Sequence, residues 1–188
     1  LSSYGKIDIL IHCAGEGHFK KFDQMNTHLI KRIIEVNLTS PLLLTKELLP
    51  LINKKGQVVF VTSAATRIPS PLTATYAACK TAQESIADSL NIEYTDSNIK
   101  FKILRPGLTK TDFPAKSGIP PEENLKGPSQ SPKQVAENLV KLIHSRKKIK
   151  NSGGAKSIAL ANIFCKPLLH HIIKKIYLKR SNRLLKNS

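Results

Sequence analysis

Acidic residues are scarce: 13 Asp and Glu stand against 30 Lys and Arg, a formal net charge of +17 over 188 residues. Aromatics make up 5% of the chain, and there is no Trp and a single Met. The three cysteines, Cys13, Cys79 and Cys165, fit neither a disulfide framework nor a metal-ligand spacing, and they read as reduced thiols of an intracellular protein. Cys13 and Cys79 fall in segments expected to be buried. His18 and His28 lack companions at metal-ligand spacing, so no metal site is predicted, and His12 reads as a satisfied near-core histidine. No apolar run reaches the ~18 residues of a spanning helix. The basic stretches have neither interleaved aromatics nor a reader motif, which argues against nucleic acid as a partner.

What is present is an alternation of apolar runs and helical periodicities. The pattern predicts a strand over 6–13, an interrupted helix over 27–53, a strand over 57–63, a helix over 75–95, a strand over 99–105 and a helix over 132–146. Strands alternating with helices imply a parallel sheet covered on both faces, an α/β doubly wound architecture. Residues 109–131 are too rich in Pro and Gly for a helix and read as a loop. Ser131-Pro132-Lys133-Gln134 then supplies a capping box with Pro at the first helical position.

The chemistry concentrates in Tyr76-Ala77-Ala78-Cys79-Lys80. On a helix, Tyr76 and Lys80 stand one turn apart on one face, and an ammonium beside a phenol is expected to lower the phenol's pKa. Taken alone, that spacing describes an ordinary surface pair. Ser63, however, ends an apolar strand, and open parallel sheets place ligands at strand carboxyl ends. Ala14-Gly15 and Pro106-Gly107 end two further strands. Pro41 lies four residues after Asn37 and cannot donate to the Asn37 carbonyl, which therefore needs another partner; a water is the natural candidate. Cys79 reads as a small packing residue and Arg105 as a structural or rim charge.

Together, Ala14-Gly15, Val36-Asn37, Ser63, Tyr76 with Lys80, and Arg105-Pro106-Gly107 followed by Thr109 and Thr111 resemble the short-chain dehydrogenase/reductase family, over residues 1 to about 112. The resemblance implies a Rossmann-like sheet, an NAD or NADP cofactor and a small carbonyl or alcohol substrate. It also implies a homo-oligomer. By it, Tyr76 is the general acid/base, Lys80 its activator and a ligand of the nicotinamide ribose, Ser63 the donor to the substrate oxygen and Asn37 the holder of a relay water. Ala14, Gly15, Pro106, Gly107, Thr109 and Thr111 line the cofactor, and residues 109–131 correspond to the substrate lid.

Two departures stand out. His12-Cys13 replaces the family's Asn-Asn before Ala14-Gly15, and a thiol is a weak donor. The family's Thr-Gly-x-x-x-Gly-x-Gly turn, which binds the cofactor pyrophosphate, is nowhere in the sequence. About three N-terminal strands of the family fold are thus expected to be missing, and the chain is read as the carboxyl-terminal portion of a longer protein, inactive as a fragment. Competing readings are a catalytically silent binding protein of the same fold and a nucleotide-sugar epimerase relative.

Residues 1–150 are assigned to the catalytic domain and 151–188 to a tail. From Lys141 onward there are thirteen Lys or Arg and no acid, thirteen of the net +17. Leu168, Leu169, Ile172, Ile173, Ile176 and Tyr177 recur at helical spacing among lysines, a basic amphipathic helix suited to an anionic membrane surface. The expected location is cytoplasmic and peripheral to a membrane; docking of that helix on its own domain or on a dimer partner is the competing expectation.

Overall fold

The computed structural model describes residues 5–119 and 129–184. Parallel strands β1 (Ile7–His12), β2 (Ile52–Val61), β3 (Lys100–Pro106) and β4 (Ile149–Ser152) form one sheet in the order β1-β2-β3-β4. Between them run α1 (Thr27–Ile34), a π-helical turn (Glu35–Thr39), α2 (Ser40–Leu48), α3 (Ala74–Glu93), the short α4 (Phe113–Lys116) and α5 (Pro132–Ile143). Helices α6 (Ala155–Phe164) and α7 (Lys166–Leu184) follow.

Successive side chains of a strand point to opposite faces, and the sheet uses both. Val58 and Phe60 of β2 join Phe101 and Ile103 of β3 and Ala87 of α3 in one core, with Leu49, Leu90 and Tyr94 against it. Val59 and Leu104 point the other way onto Leu142, with Val135, Leu139 and Ile143 of α5 alongside. The predicted doubly wound sheet is therefore present. On β1 the second face is uncovered: Ile9 and Ile11 are each 41% exposed, and Cys13, expected to be buried, is exposed too.

Several boundaries differ from expectation. β2 begins at Ile52, where the long helix was predicted to end, and a register shift between Ile7 and Ile9 absorbs the irregular pairing with β1. β4 straddles the expected domain boundary at residue 150; its pattern, Ile-Lys-Asn-Ser, has too few apolar residues to signal a strand. The predicted capping box of α5 is formed, Gln134 N donating to Ser131 Oγ at 3.2 Å and Ser131 N to Gln134 Oε1 at 2.8 Å. At the other end of α5, the buried Lys102 ammonium donates to the carbonyls of Leu142, Ile143 and Ser145 at 2.8–3.0 Å, a cation placed on the helix's negative pole.

The tail is two helices rather than one. Leu169, Ile173 and Tyr177 of α7 are half-buried, whereas Leu168, Ile172 and Ile176 are exposed. The single expected stripe thus divides into a docked half and a free half, and Ile163 and Phe164 of α6 add to the free one at 70% and 79% exposure. Among the described residues no helix is long and apolar enough to cross a membrane.

Candidate active site

Ser63 follows the last residues of β2 and opens a single 3-10 turn over Ala64–Arg67, its Oγ accepting from Ala65 N at 3.2 Å. Directly opposite, α3 turns one face to the sheet, carrying Tyr76, Lys80 and Glu84 at successive i, i+4 steps. Lys80 is 2% exposed, and its Nζ donates to Val61 O at 3.0 Å, which ties α3 to the end of β2. The same ammonium lies 5.9 Å from the centre of the Tyr76 ring, and the Ser63 side chain is near enough to the Tyr76 hydroxyl to draw its pKa down. Three of the predicted groups therefore meet at one strand end.

Their electrostatics differ from the sequence expectation. Burial pushes the Tyr76 phenol up to about 12, with only the Ser63 side chain pulling it down. Tyr76 keeps some exposed surface as a residue, but its hydroxyl end is enclosed by protein, and that enclosure dominates. Lys80 does not lower the phenol; instead its own ammonium is brought down to about 8 by desolvation, against the opposing influence of Cys13 and Cys79. His12, buried and stacked on Phe60 with ring centroids 5.0 Å apart, is also lowered, first by burial and then by Lys80. Thr45 Oγ1 donates to Pro41 O at 2.7 Å, so at 2.8 Å it accepts from His12 Nε2, which fixes the proton on that nitrogen.

Asn37 sits in the π-helical turn and is fully buried. Its side-chain amide clamps the loop after β1, donating to Glu16 O at 2.7 Å and to Ile33 O at 2.8 Å, while Oδ1 accepts from Glu16 N at 3.2 Å. Gly15 belongs to that loop: a Cβ there would come 3.1 Å from Asn37 Oδ1 and 3.5 Å from Lys80 Nζ. Only a residue without a side chain leaves that gap open. The Asn37 carbonyl, freed by Pro41, is met by a side chain where a water was expected, with Gln83 Nε2 donating to it at 2.6 Å.

Gln83 and Glu84 escaped sequence reading, because a polar pair after Tyr-x-x-x-Lys looks like a solvated face. Both are buried. Glu84 receives Arg105 Nε and Nη2 at 2.7 Å each and a contact from Arg67, with the Thr62 hydroxyl at 2.9 Å. Burial raises its carboxyl, the arginine and threonine contacts opposing. Arg105 is thus a structural cation, 5% exposed, that pins β3 to α3 behind Ser63. The usable signal was Arg105 following the apolar Ile103-Leu104 of a central strand, since a buried charge demands a partner.

The segment after β3 folds over Tyr76. Phe113 of α4 packs against its ring with the planes tilted by 50° and the centroids 5.5 Å apart, and Ser117 O accepts from Phe19 N at 2.7 Å. Gly107 N donates to Ser152 O at 3.0 Å, and a Cβ on Gly107 would come 2.9 Å from Gly154 N, so this glycine permits close approach to the start of α6. Thr109 Oγ1 donates to Gly107 O at 3.0 Å, whereas Thr111 Oγ1 accepts from Phe113 N at 3.2 Å. Both hydroxyls shape the turn after Pro106. The middle of the expected lid, 120–128, lies outside the described residues.

The chain is similar to bovine (Bos taurus) dehydrogenase/reductase SDR family member 7B, 30% identical over 158 residues, which cover 79% of this chain and 48% of that protein. It therefore spans about half the length of that relative. A short chain dehydrogenase from Burkholderia cenocepacia J2315 in complex with NADP superposes with a TM-score of 0.77 at 18% identity, over 90% of this chain and 70% of that one. An alcohol dehydrogenase from the archaeon Thermococcus sibiricus, complexed with 5-hydroxy-NADP, gives 0.68 at 25% identity, over 81% and 65%. Residues 1–120 match the short chain dehydrogenase family profile, and with the parallel sheet and the Ser63, Tyr76 and Lys80 cluster already in place, the chain belongs to that family of oxidoreductases.

Proposed function

We propose that this chain carries the catalytic half of an NAD- or NADP-dependent reductase of carbonyl compounds, reversible to alcohol oxidation. The observation that carries the reading is the convergence of the Ser63 hydroxyl, the Tyr76 phenol and the Lys80 ammonium at the carboxyl end of β2. The residues fit a nicotinamide and its ribose. The gap kept open at Gly15 borders Lys80 Nζ, and that ammonium spends one N–H on Val61 and has others to give. A nicotinamide bound there supplies the hydride.

The chain's own groups handle the oxygen. Ser63 donates a hydrogen bond to the substrate carbonyl, polarising it, and Tyr76 delivers its phenolic proton as the alkoxide develops. A phenol held at about 12 is fully protonated near neutrality, which is the form that reduction consumes. Lys80, at about 8, remains mostly ammonium there and stabilises the phenolate left behind. Phe113, tilted against Tyr76, gives the site an apolar wall.

The free stripe of α6 and α7, with no acidic residue after Glu137, supports attachment to an anionic membrane and hence a hydrophobic substrate. An apolar groove of about 470 Å³ between α2 and α3, lined by Leu42, Leu49, Ile86, Leu90 and Tyr94, supports self-association.

The decisive experiment uses the full-length protein. Tyr76→Phe keeps the ring and removes the transferable proton, so carbonyl reduction is expected to be lost while nicotinamide binding persists. Reduction remaining within about tenfold of the parent would reject the assignment.

A further inference from the structure

Gln83 lies three residues after Lys80 on α3, turned toward the π-helical turn, and is fully buried. Its Nε2 donates to the Asn37 carbonyl at 2.6 Å, but its Oε1 has no hydrogen-bond partner among the described residues. Flipping the amide would press two carbonyl oxygens together at that distance, so the orientation is fixed. An acceptor buried without a donor costs about 1–3 kcal/mol. A closely packed interior tolerates that only where a water fills the need.

The donor available is Lys80. It stands at i, i+3 to Gln83, the spacing at which helix side chains are neighbours. Among the described residues its ammonium has one protein acceptor, Val61 O, although it carries three N–H groups. Asn37 Oδ1 and Lys80 Nζ both border the Gly15 gap, at 3.1 and 3.5 Å from the same point, while Gln83 holds the other end of Asn37. Asn37 therefore links the two residues, its Oδ1 facing the gap beside Lys80 Nζ and its backbone carbonyl taking Gln83 Nε2. The Asn37 carbonyl itself already has a tight partner.

We propose that Gln83 is a positioning residue of the proton path: a buried water accepts from Lys80 Nζ and donates to Gln83 Oε1, so the acceptor role falls to this side chain instead of resting on the Asn37 carbonyl alone. The inference rests on the assignment of Tyr76 as acid. Per turnover, Tyr76 gives its proton to the substrate oxygen, Lys80 restores it, and the water restores Lys80. The water is recharged from solvent, one solvent proton being consumed for each hydride transferred. Gln83 itself neither gains nor loses a proton; it holds the water within reach of Lys80.

Two measurements on the full-length protein test this. A high-resolution crystal structure is expected to show an ordered water within about 3.2 Å of both Gln83 Oε1 and Lys80 Nζ; no water there, or a protein donor on Oε1, overturns the proposal. Gln83→Met, similar in length but unable to hold a water, is expected to lower kcat at least about tenfold, leave the KM for nicotinamide within about twofold and raise the solvent deuterium isotope effect on kcat. An unchanged kcat, or a fall in kcat and Tm with an unchanged isotope effect, assigns Gln83 to packing and overturns it. If Gln83→Met does not fold, the crystallographic result decides. Tyr76→Phe separates the two ideas: a Tyr76→Phe enzyme that still reduces carbonyls rejects the proposed function, whereas an inactive one beside an unaffected Gln83→Met rejects this inference alone.

Discussion

Lys80 is held against its own stability. Its folded value of about 8 lies below the ordinary 10.5, so between those pH values the unfolded chain binds more protons than the folded one. Stability accordingly rises with pH through that window, and below about 8 the full penalty stands, on the order of 3 kcal/mol from a depression of this size. Lys80→Met removes the buried charge and with it the bond to Val61, so a net stabilisation of about 2 kcal/mol is expected near neutral pH. The gain should fade toward pH 10, as read from urea midpoints at the two pH values. An equal effect at both would disprove the burial penalty. Tyr76 titrates in the opposite sense: raised from 10.0 to about 12, it keeps a proton that the unfolded chain has lost, so stability falls as pH climbs through that range. At the candidate site, then, each member of the Lys80 and Tyr76 pair disfavours its own charged form.

At the scale of elements, the π-helical turn between α1 and α2 is the feature that Pro41 imposes. A prolyl ring crowds the carbonyl four residues back and offers it no N–H, and the Ser40 N–H reaches instead to Glu35 O, five residues away. Pro41→Ala restores an N–H that can compete with Gln83 for the Asn37 carbonyl. Turnover is then expected to fall about tenfold with stability changed by no more than about 1 kcal/mol, measured as kcat beside Tm. The break after Asn37 was legible, because Pro signals by what it lacks. So were the strand ends at Ser63 and Gly107, the capping box at Ser131 and the face shared by Tyr76 and Lys80, all fixed by local spacing. The Glu84–Arg105 pair, the Gln83 bond and the pKa of Tyr76 were not, since each depends on what lies across the sheet. β4 was invisible for a related reason: at Ile149–Ser152 neighbouring β3 decides the conformation, and the residues themselves do not.

For the whole molecule, the division of the α7 stripe separates two jobs. Leu168, Ile172 and Ile176 are 58%, 45% and 50% exposed beside lysines, whereas Leu169, Ile173 and Tyr177 are half-buried. Replacing Ile172 and Ile176 by Asp is expected to abolish binding to vesicles containing anionic lipid while leaving Tm nearly unchanged. Binding by the parent should weaken as salt rises, because part of it, roughly 1 kcal/mol per basic residue near the surface, is screened. Co-sedimentation of the full-length protein beside a version ending at Lys166 checks this, and equal partitioning would assign the exposed stripe to protein contacts.

The strand order β1-β2-β3-β4 runs without a jump, each strand pairing with the one made just before it. Among these four described strands each crossover can therefore close on a neighbour that already exists, and none has to wait for a later one of the four to fill a gap beside it. During synthesis at roughly 5–20 residues per second, β2 can dock on β1 and bring Ser63 into place while α3 is still being made, leaving Tyr76 and Lys80 to fold onto a finished edge.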